Sequence, residues 1–220
     1  MSSSRFVVLV PVKPPRVGKS RLTGLPDGLR RDLAEAFARD TVEAALAAPL
    51  VSAVLVVTDD SALAASLGAS GCHVLPDGVS GDLNASLVQA EAEAARRWPD
   101  LRPAVLCADL PALDPENLSA VLGSAPQGPA FVADRGGRGT TLYTAPHESF
   151  APHFGPDSRR LHVAAGAVEL VGAADGLCQD VDEAADLGRV MVLGVGAHTR
   201  RVMGHVAGAG TGTGTDRPAR

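Results

Sequence analysis

Short apolar runs alternate along the chain with longer stretches in which apolar residues recur every three or four positions, the pattern of an α/β protein. The runs FVVLVPV (6–12), VSAVLVVT (51–58), CHVLP (72–76), PAVLCAD (103–109) and PAFVAD (129–134) predict strands. Several are apolar without interruption, as strands covered on both faces of a mainly parallel sheet must be. Between them the spacing predicts helices. The first opens at Pro26 and Asp27 and repeats Leu29, Leu33, Phe37 and Thr41 on one face, and the second covers about Ser61 to Leu67. The third is LNASLVQAEAEAARRW, and the fourth starts at Asp114 or Pro115 with Leu118, Val121 and Leu122 facing inward. After Asp134 the pattern changes: DRGGRGTTLYTA reads as a loop entering another strand, and FGPDSRRLHVAAGA as a turn into a short helix. AVELVG (167–172) predicts a strand, and CQDVDEAADLGRVMVL ends in a last helix. The expected architecture is α/β, one domain over residues 1–206 with a mainly parallel mixed sheet flanked by helices. Residues 207–220, AGAGTGTGTDRPAR, are expected to be a disordered Gly/Thr-rich tail.

Composition narrows the partners. The 220 residues are 45% hydrophobic and 20% charged, with a net charge of −5, so a basic nucleic-acid surface is not expected. Three widely spaced cysteines, Cys72, Cys107 and Cys178, offer neither a disulfide framework nor a zinc ribbon, and the expectation is a reducing, cytoplasmic location. The N-terminal apolar run is too short for a signal sequence, and no stretch approaches a membrane span.

Two lysines change this picture. They are the only two among 20 basic residues, and both lie in VPVKPPRVGKSRL, directly after the first predicted strand. The letters GKS suggest a P-loop, but G-x-x-x-x-G-K-S/T needs a glycine where Lys13 stands. Pro14 and Pro15 also lack the N–H groups with which a P-loop holds phosphate. What remains is a loop offering Lys13, Arg16, Lys19 and Arg21 as side-chain charges suited to a triphosphate.

Acidic residues fall where such a ligand needs them. Asp109 ends the buried run VLCAD, and ligands of open α/β sheets bind beyond the carboxyl ends of strands. In DVDEAADL an extended backbone sets Asp180 and Asp182 on one face, where an oxygen-only donor pair suits magnesium or manganese. The alternative for Asp182 is the N-cap of the helix that follows. Together, lysines and carboxylates describe triphosphate chemistry.

Two glycine loops add further candidates. In GVSGDLNASL, Asp82 or Asn84 caps a helix, or Asn84 and the backbone near Gly81 hold a nucleotide. In DRGGRGTTL and FGPDSRRLH, Thr140, Thr141 and Ser158 can donate to an anion at the start of a helix, with Ser158 and His162 on one face of it and Arg159 and Arg160 beside it. A second anion site flanking a metal implies phosphoryl or nucleotidyl transfer between two phosphorylated substrates.

VPVK with GKSRL, GDLNASL, ADLPAL, DRGGRGTTL, FGPDS with its following His, and DVDEAADL, in this order, resemble the phosphoenolpyruvate and 2-phospho-L-lactate guanylyltransferases of coenzyme F-420 biosynthesis. The resemblance spans about residues 6–195. It implies a nucleotide-diphospho-sugar-transferase-like fold and transfer of GMP from GTP to phosphoenolpyruvate or 2-phospho-L-lactate. Pyrophosphate and, with phosphoenolpyruvate, enolpyruvyl-diphospho-guanosine would be the products, the latter passed to a downstream transferase. It further implies Asp109, Asp180 and Asp182 as ligands of magnesium, in a two-ion arrangement. Thr140, Gly155 and Ser158 would hold phosphoenolpyruvate. Lys13, Lys19 and Arg21 would meet the GTP phosphates, with Gly81 and Asn84 near ribose and guanine, and Lys13, Lys19 and Asp109 would be the catalytic set. Other readings of the same residues are a molybdopterin guanylyltransferase, a nucleotide-sugar enzyme or a non-catalytic GTP-binding regulator.

Overall fold

A computed structural model describes residues 5–13, 22, 24–79 and 81–209. Among the described residues seven strands form one sheet: β1 (Phe6–Pro11), β2 (Val51–Val57), β3 (His73–Leu75), β4 (Arg102–Leu106), β5 (Ala130–Ala133), β6 (Thr140–Thr144) and β7 (Val168–Glu169). Their order is β3-β2-β1-β4-β6-β5-β7. Neighbours pair in parallel except at β6, which is antiparallel to both β4 and β5. The expected mixed, mainly parallel sheet is therefore present. β7 uses two of the six residues of AVELVG.

Alternation along β1 divides the core. Phe6, Val8 and Val10 pack with α1 (Asp27–Ala47), α2 (Ser61–Gly68) and α4 (Pro115–Ser124), whereas Val7 and Leu9 pack with α3 (Leu83–Arg97) on the opposite face. Each fully buried Val, Leu or Phe of these faces contributes about 1.5–3 kcal/mol, so a strand with no exposed position is the natural centre of the sheet. Asp60, Asp82 and Asp114 cap α2, α3 and α4, each accepting from backbone N–H groups of the first turn.

The C-terminal third holds α5 (Ser158–Ala164), α6 (Asp175–Cys178), α7 (Ala184–Leu193) and α8 (Ala197–Ala209). Neither α6 nor α8 stands out in the sequence. α8 packs on α1, and its first turn is held from outside: the carboxylate of Asp40, on α1, accepts from His198 N and Thr199 N, both at 2.9 Å. Gly196 makes that approach possible, since a Cβ there would lie 2.3 Å from the Asp40 carboxyl group. The helix runs to Ala209, three residues into the segment read as tail, and residues 210–220 lie outside the described residues. No helix among the described residues is long and apolar enough to cross a membrane.

Candidate active site

The strand order brings the candidate residues to one edge of the sheet. β1 and β4 are parallel neighbours, with Leu9 opposite Val105, so the chain leaves both toward the same edge, at Lys13 and at Asp109. β6 runs the other way, with Leu106 opposite Leu142, and so begins at that edge with Thr140.

Asp109 is fixed through its backbone. Thr41, fully buried on α1, donates from Oγ1 to the carbonyl of Ala108 and accepts from the N–H of Leu110 at 3.1 Å. The Asp109 carbonyl accepts from Val181 N at 3.1 Å, which lays the DVD segment alongside it. Val181 is buried with Leu187 and Val190 of α7, whereas its neighbours Asp180 and Asp182 are half-buried and bring their carboxylates to Asp109. Carboxylate oxygens of Asp109, Asp180 and Asp182 come within 4.8 Å of one another, and all three residues are half-buried. This all-oxygen donor set fits a hard divalent cation.

Asp182 does not cap α7. The N-cap is Glu183, and Asp186 at the third helical position accepts from the N–H groups of Asp182 at 3.1 Å and Glu183 at 2.8 Å. Buried Gln179 secures the other end of the segment, donating from Nε2 to Asp180 O at 2.9 Å.

A β-bulge decides which of the two adjacent threonines faces Ser158. Val132 pairs with Leu142 but Ala133 pairs with Thr140, so Thr141 is the extra residue and Thr140 turns to the face of Phe131 and Tyr143. There its Oγ1 accepts from Ser158 Oγ at 3.1 Å and lies 3.0 Å from His162 Nδ1. Thr141 is fully buried elsewhere and does not join this pair. Gly155, with φ of 127°, and Asp157, with φ of 56°, make the tight turn that sets Ser158 at the start of α5. The loop before the turn is held by side chains from three elements. Ala151 N donates to Tyr143 Oη, His153 N to His162 Nε2 and Phe154 N to Asn84 Oδ1, at 3.2, 3.0 and 2.8 Å.

Asn84 completes a two-way bond by donating from Nδ2 to Phe154 O at 2.9 Å. Both ends of its amide are thus engaged with Phe154, and the residue ties α3 to the turn at Gly155. Asp82, not Asn84, is the N-cap of α3. Gly81, with φ of 89°, lines a cleft of about 130 Å³ with Lys13, Asp77 and Ser86. Lys19, Arg21 and Arg16 lie outside the described residues. Arg159 is paired with Glu169 at 3.0 Å, which offsets the positive charge expected of it, and Arg138 is paired with Asp157 at 2.9 Å. Thr41, Gln179 and Asn84 are the supporting residues that the sequence did not single out for these roles. For Thr41 the only signal was a hydroxyl within an otherwise apolar helix face.

Residues 6–207 match the family described as Guanylyl transferase CofC like. A phosphoenolpyruvate guanylyltransferase of Streptomyces coelicolor is 48% identical over 210 residues, covering 94% of this chain and 99% of that relative. Among solved structures, a Desulfovibrio desulfuricans protein assigned as a nucleotide-diphospho-sugar transferase superposes with a TM-score of 0.69 at 16% identity, covering 93% of this chain and 96% of its own. A Mycobacterium tuberculosis protein solved in complex with manganese superposes with a TM-score of 0.52 at 20% identity, covering 86% and 99%. These two structures share the nucleotidyltransferase-like fold, and the sequence match goes further: the chain belongs to the CofC-like guanylyltransferase family.

Proposed function

We propose that the protein transfers GMP from GTP to the phosphate of phosphoenolpyruvate, forming enolpyruvyl-diphospho-guanosine and pyrophosphate in coenzyme F-420 biosynthesis. The observation that carries this reading is the hydroxyl pair of Thr140 and Ser158 at the sheet edge shared by Lys13 and the three aspartates. A nucleotide-binding regulator has no need of a second anion site there.

An acceptor phosphate oxygen attacks the α-phosphorus of GTP, the new O–P bond forms as the bond to the bridging oxygen of the β-phosphate breaks, and pyrophosphate leaves. The acceptor is already an anion near neutral pH, so no strong general base is required. Thr140, Ser158 and the backbone at Gly155 hold and orient the acceptor phosphate. Lys13 and Lys19 place positive charge along the triphosphate, and Arg21 adds to it. Gly81 lets the backbone approach the nucleoside, while Asn84 acts by holding the acceptor turn. Asp109, Asp180 and Asp182 would hold magnesium or manganese, in a two-ion arrangement, and the metal would supply charge neutralisation on the phosphate oxygens. The product is a reactive mixed diphosphate, which suits a cytoplasmic route in which a downstream transferase consumes it.

Pyrophosphate release measured with each of the four NTPs and magnesium, against phosphoenolpyruvate, 2-phospho-L-lactate and 3-phosphoglycerate, tests the reading. GTP with phosphoenolpyruvate is expected to give the highest rate. Asp109→Asn is expected to lower kcat by roughly 10²–10³-fold with the thermal transition retained. Release from another nucleotide, or a variant near wild-type rate, overturns the assignment.

A further inference from the structure

Fully buried His162 is enclosed by aromatic rings. Its ring stacks on Tyr143 and Phe131, with centroids 4.8 and 5.3 Å away, and meets Phe154 edge-on at 5.5 Å. Such surroundings hold an imidazole neutral, with one ring nitrogen protonated and the other bare. Which nitrogen is which follows from the partners. The His153 amide can only donate, and it donates to Nε2 at 3.0 Å, so Nε2 is the bare nitrogen. The proton is on Nδ1, which therefore donates to Thr140 Oγ1.

This tautomer fixes the proton count of the anion site. Thr140 and Ser158 have two hydroxyl protons between them, and one is spent on the bond from Ser158 to Thr140. With Nδ1 donating, Thr140 Oγ1 accepts twice and keeps its own proton for an incoming oxygen. Were Nδ1 bare, the Thr140 proton would go to the ring and the Ser158 proton to Thr140, and the pair would present only lone pairs, which repel an anion. The same ring holds the His153 amide through Nε2, one residue from the Phe154 amide held by Asn84. One side chain thus sets both the hydroxyl polarity and the loop that leads to Gly155.

We propose that His162 is a positioning residue for the acceptor: locked as the Nδ1–H tautomer by the His153 amide, it makes the Thr140–Ser158 pair a donor to the acceptor phosphate. This deepens the proposed guanylyl transfer and rests on that reading for the identity of the phosphate.

Three variants separate the functions of the ring. His162→Phe keeps the stacking and loses both nitrogens, His162→Gln returns an acceptor for the His153 amide, and His162→Asn returns a donor near the Nδ1 position. With phosphoenolpyruvate varied at saturating GTP and magnesium, His162→Phe and His162→Gln, which leave Thr140 its proton but remove the Nδ1–H that turns it toward the acceptor, are expected to raise the acceptor KM by about tenfold, with the KM for GTP unchanged. His162→Asn is expected to recover most of that loss. Equal acceptor KM values in wild type and His162→Phe overturn the proposal, as does a His162→Asn variant no better than His162→Phe. Imidazole ¹⁵N NMR of the wild-type protein gives a readout independent of turnover and of variant folding. A proton on Nδ1 and a perturbation of that signal by phosphoenolpyruvate are expected; a proton on Nε2, a charged ring or an unresponsive signal overturns the proposal. A wild-type protein whose Nδ1 signal responds to phosphoenolpyruvate but which releases no pyrophosphate would remove the transfer reaction and leave the tautomer assignment standing.

Discussion

Burial above all, with His153 adding to it and a hydrogen bond with the Ser158 backbone opposing, holds the pKa of His162 down at about 4, below its ordinary 6.5. The ring is faced by His153 from the preceding loop and by Tyr143 and Phe131 from β6 and β5, none of which offers a negative charge to an imidazolium. A depressed pKa means that between pH 6.5 and 4 the unfolded chain takes up a proton that the native ring refuses. The contribution of this group to stability is therefore complete above pH 6.5 and is lost as the pH falls toward 4, by on the order of 3 kcal/mol. Urea unfolding of wild type and His162→Phe at pH 7.5, 6, 5 and 4 isolates the effect, because the carboxyl and remaining histidine titrations are common to both. Wild type should lose that amount of stability relative to His162→Phe as the pH falls, and parallel curves would rule it out. Little of this is legible in the sequence. His162 is recognisable as a neighbour of Ser158 at helical spacing, but its tautomer depends on an amide nine residues earlier that only the folded loop brings to Nε2. Thr41 is similar: the four-residue spacing predicts that it faces inward, and only the sheet edge reveals that it braces Asp109.

Elements were legible where their own pattern specifies them and obscure where another element does. The buried strands, and the helices capped by Asp60, Asp82 and Asp114, follow from local residues. α8 has no such signal: its N-terminal N–H groups are satisfied by Asp40, more than 150 residues away. The two-residue β7 is likewise decided by pairing with β5, and the bulge at Thr141 by the register of β5 against β6. The dependence of α8 on α1 predicts a specific weakness. Asp40→Ala should destabilise the protein by about 1–2 kcal/mol, as loss of a helix cap does, and Asp40→Asn, which keeps an acceptor, should cost less. Gly196→Ala should be at least as damaging as Asp40→Ala, since its Cβ would press on the same carboxyl group. Denaturant midpoints rank the three, and hydrogen exchange at His198 and Thr199 reports the cap directly. An Asp40→Ala protein with unchanged exchange at those two amides would show that the cap does not hold the helix.

At the scale of the whole molecule, one topological fact gathers the site. Parallel β1 and β4 and antiparallel β6 bring Lys13, Asp109 and Thr140 to one edge from well-separated places along the chain, and the hydrogen bond from Val181 to Asp109 brings in the DVD pair. The separate motifs could be picked out in advance. Their adjacency could not, because the direction of β6 is a property of the sheet and not of TTLYT. The three aspartates therefore lie together only in the folded chain, and a cation that binds there binds the native state alone. Linkage then requires it to stabilise the fold, by about 2.7 kcal/mol at a hundredfold excess over its dissociation constant. Magnesium or manganese added to the metal-free protein should raise the thermal midpoint with saturation, and Asp180→Asn should lose most of that rise. Sodium at matched ionic strength should not reproduce it, because screening acts on every exposed pair and not on this site. If wild type and Asp180→Asn respond alike to magnesium, the carboxylate trio is not where the metal binds, and catalysis through it has to be abandoned.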